Sequence, residues 1–403
     1  MTDDPERERE ISGRANSILS ALPVAGAFTL VAPIAVAGGL ALAPLLAVGG
    51  LLAAPFAGVW RGVKAAWPVL LLLVGFVAFA AASALWSPYQ PSGLDSQQGL
   101  KLTFGAAAAA VFCAGAGASP RGRALVRAGS VAAVIVLLLL LGVEALGDMP
   151  LNRMAQPLAE TGVLERNPGR GVAILVIFAF AAIGALVGGS TLDKLLWRVV
   201  LVGTAALSTQ FNMAGNIVAF SVGLVAFIFA WSAPRLAVSL LGLGLAAWVV
   251  AAPFILGWLA TQETLAQSLP LSWQMRLDIW GYVAPRIAEA PWIGHGIDAS
   301  RTITAVGQMG DLTFPQVPLH PHSAPLQVWY ELGAVGAGLL AALLAAGGLM
   351  AGQALATQAG AAAAACGAVA ALAVLWSISY GAWQEWVLAV CGIALALANA
   401  ARR

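Results

Sequence analysis

What most limits the fold of this chain is its succession of apolar runs, each about twenty residues long and closed by a short polar break. A helical run of that length matches the hydrocarbon thickness of a bilayer, and a helix satisfies its own backbone hydrogen bonds there. Hydrophobic residues make up 60% of the chain and charged residues 9%, about a third of the charge of a soluble domain. The expected class is an all-α polytopic membrane protein. Twelve spans are expected, near 18–37, 40–59, 67–86, 99–118, 125–146, 170–189, 195–210, 213–232, 236–259, 325–349, 357–378 and 384–400. The first apolar stretch, 18–59, is too long for one span and is expected to fold back near Gly38 and Gly39.

Basic residues set the expected orientation. The polar tail 1–17 lacks the compact basic region and short apolar stretch of a cleaved signal, and is read as cytoplasmic. Both termini then lie inside, with 13 of the 20 lysines and arginines on the inner face and 7 on the outer. Short inner loops such as Pro120-Arg121-Gly122-Arg123 carry the density, as the positive-inside rule requires. The resulting organisation is a tail, 1–17, and a transmembrane bundle, 18–259, with an outer loop near 147–169. A long outer loop, 260–324, and C-terminal membrane helices, 325–403, complete it. The net charge of +2, without a large basic cluster, gives no basis for nucleic-acid binding. Cys113, Cys366 and Cys391 lie in apolar segments without metal or disulfide spacing and read as small packing residues.

One polar-to-apolar junction carries chemistry. In His320-Pro321-His322-Ser323-Ala324-Pro325-Leu326, Ser323 is expected to cap a helix whose first turn tolerates Pro325. His322 then lies beside a helix N-terminus, which favours an anion and a neutral imidazole. A neutral imidazole next to an anion seat suits a base acting on a hydroxyl. Two turns on, Glu331 is a carboxylate in an otherwise apolar helix, costly in lipid and therefore a candidate for function.

The string His322-Ser323, Leu326, Glu331, Gly333, Gly336 resembles the signature of the O-antigen ligase and polymerase family, with Ser323 where asparagine is more usual. Members are bacterial inner-membrane glycosyltransferases. The resemblance implies a glycan donor on undecaprenyl pyrophosphate, transfer on the periplasmic side to an acceptor hydroxyl, lipid A core favoured, and no cofactor. A polymerase joining lipid-linked repeat units is the alternative, and a lipid-linked sugar transporter the second. His322 is the expected base; Glu331 would orient it or pair with an arginine.

Arg276 and Arg170 are the expected pyrophosphate ligands. Arg276 shares a helical face with Ile279, Trp280, Val283 and Ile287, and a guanidinium fork there fits phosphate oxygens. Asn167-Pro168-Gly169-Arg170 resembles the family's entry to a span, with Asn167 as the expected N-cap and Arg166 as an assistant. His320, Trp383 and Tyr380 are candidates for acceptor or sugar contacts. Pro291-Trp292-Ile293-Gly294-His295-Gly296 reads as a tight backbone turn, and Gln210, Asn212 and Asn216 as amides bonding neighbouring helices. His320 and His322 lack a third ligand for a metal, so none is expected.

Overall fold

The computed structural model describes residues 19, 21–93, 97–309 and 311–402; the expected tail, 1–17, lies outside the described residues. The chain enters with α1 (Leu22–Val36) and α2 (Leu42–Ala53), joined at Gly38 and Gly39 as expected, then α3 (Ala57–Ala65) and α4 (Trp67–Ala82). Next come α5 (Gln98–Gly117), α6 (Pro120–Leu146), two short helices, α7 (Pro150–Ala155) and α8 (Thr161–Leu164), and α9 (Arg166–Leu186). They lead to α10 (Thr191–Leu207), α11 (Gly215–Ser232) and α12 (Pro234–Ala260). The segment between α12 and α15 (Ala324–Ala354) holds α13 (Glu263–Ser268), α14 (Leu271–Arg286) and an antiparallel hairpin, Val306–Met309 with Leu312–Pro315. Two further helices, α16 (Ala359–Ile378) and α17 (Glu385–Ala400), close the bundle.

The chain is a multi-pass, all-helical membrane protein. Among the described residues eight helices are long and apolar enough to cross a bilayer, or nine if α2 and α3 count as one broken span. Helices α1, α10 and α17 are shorter, at 15, 17 and 16 residues. The expected span 40–59 departs most from expectation: it stops at Ala53, and α3 turns off by 111°. Pro55 removes an amide donor at the break, and Trp60, Arg61 and Lys64 give α3 a polar face suited to an interface.

Helix α9 is the centre of the bundle. Val172 to Phe180 are each at most 2% exposed, because the helix is apolar on every side and must be covered on every side. Small residues make this possible: Gly184 meets Gly360 and Ala364 of α16, while Gly223 and Gly367 sandwich Phe180. The helix that opens with Arg166 and Arg170 is thus held firmly along its whole length.

Helix α15 is broken at Gly333, roughly three turns beyond the histidine junction. Gly333 has φ 61° and ψ −163°, a conformation only glycine adopts without strain. Into the break fits the turn 291–296. His295 N donates to Tyr330 O (3.0 Å), Gly296 N to Glu331 O (2.7 Å), Ala334 N to Pro291 O (2.8 Å) and Val335 N to Trp292 O (3.0 Å). A Cβ on Gly294 would run into the Glu331 main chain, and one on Gly333 into that of Trp292. The two glycine motifs of the sequence are the two halves of one joint.

Candidate functional site

Helix α14 brings the site together. Ile279, Trp280, Val283 and Ile287 are buried, as the helical spacing predicts. Trp280 Nε1 donates to Pro321 O at 3.0 Å, fixing the peptide between the two histidines. One turn earlier, Arg276 Nε donates to Ile378 O (2.8 Å) and Nη1 to Ser272 O (2.7 Å), with the guanidinium 5.3 Å from the Trp273 ring centre.

His322 is half-buried with φ 53°, a left-handed conformation. Its amide donates to His320 Nδ1 at 3.1 Å, and its own Nδ1 lies 2.9 Å from Ser379 O. A carbonyl only accepts, so Nδ1 carries the proton and Nε2 keeps a free lone pair. Burial lowers the His322 pKa; the Ser379 bond opposes this and the nearby Arg276 charge adds to it. His320 accepts at Nδ1, so its proton is on Nε2. The Gln384 amide at 3.1 Å must therefore turn its oxygen to that proton, which also gives the buried Gln384 Oε1 a donor. Burial, and after it the charges of His322 and Arg301, hold His320 down to about 3. Both rings are neutral near pH 7, 4.7 Å apart between centres.

Ser323 stands at the helix N-cap, but its buried hydroxyl makes no cap bond. Pro325 at the second helical position has removed one of the two amides that such an oxygen reaches.

The expected Asn167 cap is likewise corrected. Helix α9 begins at Arg166 with Glu165 as N-cap, so Pro168 falls third, still among amides without helical partners. Asn167 instead donates to Asn152 Oδ1 (3.1 Å), and Asn152 to the wholly buried Glu144 carboxylate (2.5 Å). From the other side Asn216 donates to Gly169 O (3.0 Å) and Asn212 to Glu165 (2.8 and 2.9 Å). Asn212 and Asn216 bond neighbouring elements, as read from the sequence, and with Asn167 clamp the turn that carries Arg170, whereas the Gln210 side chain reaches only the adjoining Thr209, at 3.2 Å, among the described residues. Arg170 makes no hydrogen bond or ion pair among the described residues. Burial pushes the Tyr380 hydroxyl up to about 12, against the fields of both Arg170 and Arg276. Asn216 ties Gly169 to the start of α11, where Gly215 faces Ser379, so the turn bearing Arg170 lies near the end of α16. Arg166 lies in the first turn of α9 and is exposed, whereas Arg170, one turn on, is half-buried.

Glu331 lies elsewhere than expected. Fully buried, it accepts from Asp298 N (2.7 Å), Ser300 N (3.2 Å), Ser300 Oγ (2.5 Å), Gln327 Nε2 (3.0 Å) and Trp383 Nε1 (2.5 Å). Among the described residues it bonds neither His322 nor an arginine. Its carboxylate pins the loop 298–300 to α15 and to the α16–α17 connection. Trp383, a candidate for acceptor or sugar contacts, is 4% exposed and packs near Phe76, so its face is not open. Tyr380 packs edge-on against Trp386, 4.7 Å between ring centres.

Sequence reasoning missed Trp280 as an anchor, Gln327 and Gln384 as linkers, and the peptide 378–379 as the shared acceptor. Trp280 was visible as the large residue one turn beyond Arg276. Backbone carbonyls leave no trace in a sequence.

Residues 167–341 match the family model described as O-antigen ligase. The chain carries an O-antigen ligase family domain. This domain holds Arg170, Arg276, His320, His322 and Glu331, while Tyr380, Trp383 and Gln384 come from the chain beyond it. Over 182 residues the chain is 31% identical to the "Putative polysaccharide ligase" of Rickettsia conorii, covering 43% of this chain and 44% of that one. A protein of the same name from Rickettsia bellii is 30% identical over 182 residues, and that from Rickettsia prowazekii 28% over 191. Each match spans less than half of the relative's length, at 44%.

Proposed function

We propose that this protein is a glycosyltransferase that moves a glycan from undecaprenyl pyrophosphate to an acceptor hydroxyl at the outer face of the bacterial inner membrane. What supports the reading is the free Nε2 lone pair of His322, with Arg276 held on the neighbouring carbonyl and Arg170 on a turn that packs near the same helix end, neither guanidinium held by a carboxylate among the described residues. The acceptor O–H gives its proton to Nε2 as the oxygen bonds the anomeric carbon. The bond from that carbon to the pyrophosphate oxygen breaks, and the lipid pyrophosphate leaves with the electron pair. The two guanidiniums stabilise the charge that gathers on it. One displacement inverts the anomeric centre and needs no metal.

In this reading Glu331 and His320 are positioning residues. Glu331 holds the loop against α15, and His320 holds the His322 backbone. The reading has twelve crossings: the eight helices long and apolar enough to span, the broken pair α2–α3 counted once, and the shorter α1, α10 and α17. Both termini then face the cytoplasm and the segment 260–324 the periplasm, where the lipid A core is the favoured acceptor.

The test is reconstitution of the full chain in liposomes with a fluorescent undecaprenyl-pyrophosphate oligosaccharide. Rough lipopolysaccharide or a second lipid-linked unit serves as acceptor. His322→Ala and His322→Gln are expected to fold normally and to lose about 10²–10⁴-fold in transfer, the usual share of a general base. Transfer within threefold of the wild type in both variants would overturn the assignment.

A further inference from the structure

The surroundings of the two histidines differ sharply in charge between their flanks. On the Tyr380 side stand Arg276 and Arg170, cations without a carboxylate partner among the described residues, suited to a dianion. On the Gln384 side the charges come in matched pairs. Arg301 Nε lies 3.1 Å from Asp298 Oδ1, and Lys101 Nζ lies 2.6 Å from Glu385 Oε1. Asp298 N and Trp383 Nε1 both donate to Glu331 Oε2, at 2.7 and 2.5 Å, which brings the loop of the first pair against the connection that leads to Glu385, so the four form one patch. Gln384, which bonds His320, is the chain neighbour of Glu385, and Arg301 acts electrostatically on His320.

This patch is open and framed. The side chains of Arg301, Lys101 and Glu385 are 36%, 37% and 42% exposed, while that of Asp298 is 5% exposed. The frame is the interlock of two loops. Ser87 Oγ donates to Ile297 O (2.7 Å), Trp86 Nε1 to Gly294 O (3.2 Å) and Ile297 N to Ser83 Oγ (2.9 Å). Tyr89 in the first loop lies beneath the Arg301 guanidinium, 5.7 Å from ring centre to carbon.

From this geometry we propose that the Arg301–Asp298 and Lys101–Glu385 pairs form the acceptor subsite, and that they take an uncharged sugar ring bearing neighbouring hydroxyls. A sugar hydroxyl both gives and accepts hydrogen bonds, so it needs donors and acceptors side by side. The patch supplies both, because the exposed Arg301 and Lys101 leave hydrogens unused and the exposed Glu385 leaves carboxylate oxygens. The summed charge of the four is zero, so the patch draws no phosphate away from the Arg276 flank. The Tyr89 ring offers an apolar face to a sugar ring. The division places an anionic donor and a neutral acceptor on opposite sides of the base. This assignment rests on the proposed transfer reaction, but binding tests it separately.

The decisive experiment has two arms with the full chain in detergent or liposomes. In the first, saturation-transfer NMR follows the free core oligosaccharide ending in unphosphorylated hexose, with no donor present. The wild type is expected to give saturation transfer to the terminal ring, and Arg301→Gln to abolish it. The charge swap Lys101→Glu with Glu385→Lys restores a merely structural ion pair, but exchanges donors for acceptors. It is expected to melt normally and to abolish the signal as well. In the second arm, Arg301→Gln is expected to raise the acceptor KM at least fivefold and move the donor KM less than twofold. Equal saturation transfer in wild type and variants, or a donor KM that moves as much as the acceptor KM, overturns the subsite. Preference for a terminally phosphorylated acceptor overturns the neutral class. If the wild type binds the sugar and the variants do not, yet the wild type transfers nothing, the transferase reading falls and the sugar site stands.

Discussion

His322 and Arg276 hang from consecutive peptide carbonyls. Nδ1 of the first donates to Ser379 O at 2.9 Å, and Nε of the second to Ile378 O at 2.8 Å. The end of α16 therefore sets the spacing between the proposed base and the proposed pyrophosphate ligand, although the three segments lie far apart in the chain. It also couples their charges.

The coupling gives a pH prediction. Burial, followed by the Arg276 charge after the opposing Ser379 bond, keeps the His322 imidazole below its ordinary range. The base must be unprotonated, so the acid limb of kcat/KM should lie below the ordinary histidine value of about 6.5. Arg276→Gln removes a charge that disfavours imidazolium, which raises the His322 pKa. The limb should then move to higher pH, in addition to the rise in donor KM. A pH–rate profile of the wild type and Arg276→Gln checks both directions; a limb that stays put in the variant counts against the coupling.

Glu331 gives a prediction that separates structure from chemistry. Its carboxylate accepts five donors from four residues, and truncation leaves them buried without an acceptor, at about 1–3 kcal/mol for each such group. Glu331→Ala should lower the melting temperature of the solubilised protein clearly, and Glu331→Gln less, because an amide keeps one accepting oxygen. Transfer should fall in parallel with the folded fraction. A variant that melts like the wild type yet transfers nothing would return Glu331 to the chemistry.

The fold was legible wherever a lipid solvent dictates the answer. Apolar length located the helices, and the turn between α1 and α2 fell at Gly38 and Gly39, where the sequence placed it. What length does not reveal is a break compensated by another segment. Gly333 sits in an apolar run that reads as one helix, and its broken geometry makes sense only against the turn at Gly294. The site was legible in its charged and titratable members, since these are rare in such a chain. Their roles were less so: Glu331 looks like chemistry because a carboxylate in lipid needs a reason, and here the visible reason is five hydrogen-bond donors. Trp383, at an outer helix end, was a candidate sugar contact, yet Glu331 holds its indole.

Gly333→Ala tests that joint. A side chain at φ 61° and ψ −163° costs about 1–3 kcal/mol in backbone strain alone. The added Cβ also meets the Trp292 carbonyl, so the loop must give way. The expected result is a lower melting temperature and at least a tenfold loss of transfer, because the same loop carries residues 298–300 to Glu331. Gly338→Ala is the control: it has open space around it on the same helix, and should change neither quantity. Equal behaviour of the two variants would mean that the break in α15 is not held by this contact.

The last prediction concerns the far end of the site. Asn152 takes a hydrogen bond from Asn167 and gives one to Glu144, and so ties the first turn of α9 to the buried end of α6. Asn152→Ala cuts both links, and leaves a Glu144 oxygen without that donor while Leu151 N still holds the other. Helix α9 itself stays packed along its whole buried length, so the bundle should survive with a modest loss of stability. The turn bearing Arg170 loses its lateral support. The donor KM should rise about threefold to tenfold, as expected when a contact to the leaving group of about 1 kcal/mol is loosened, with the acceptor KM unchanged. Asn152→Asp offers an oxygen to Asn167 but places a second carboxylate beside Glu144. It should be worse than alanine in melting and no better in donor KM. If Asn152→Ala instead changes kcat alone, Arg170 acts on the reacting centre by some path other than donor grip.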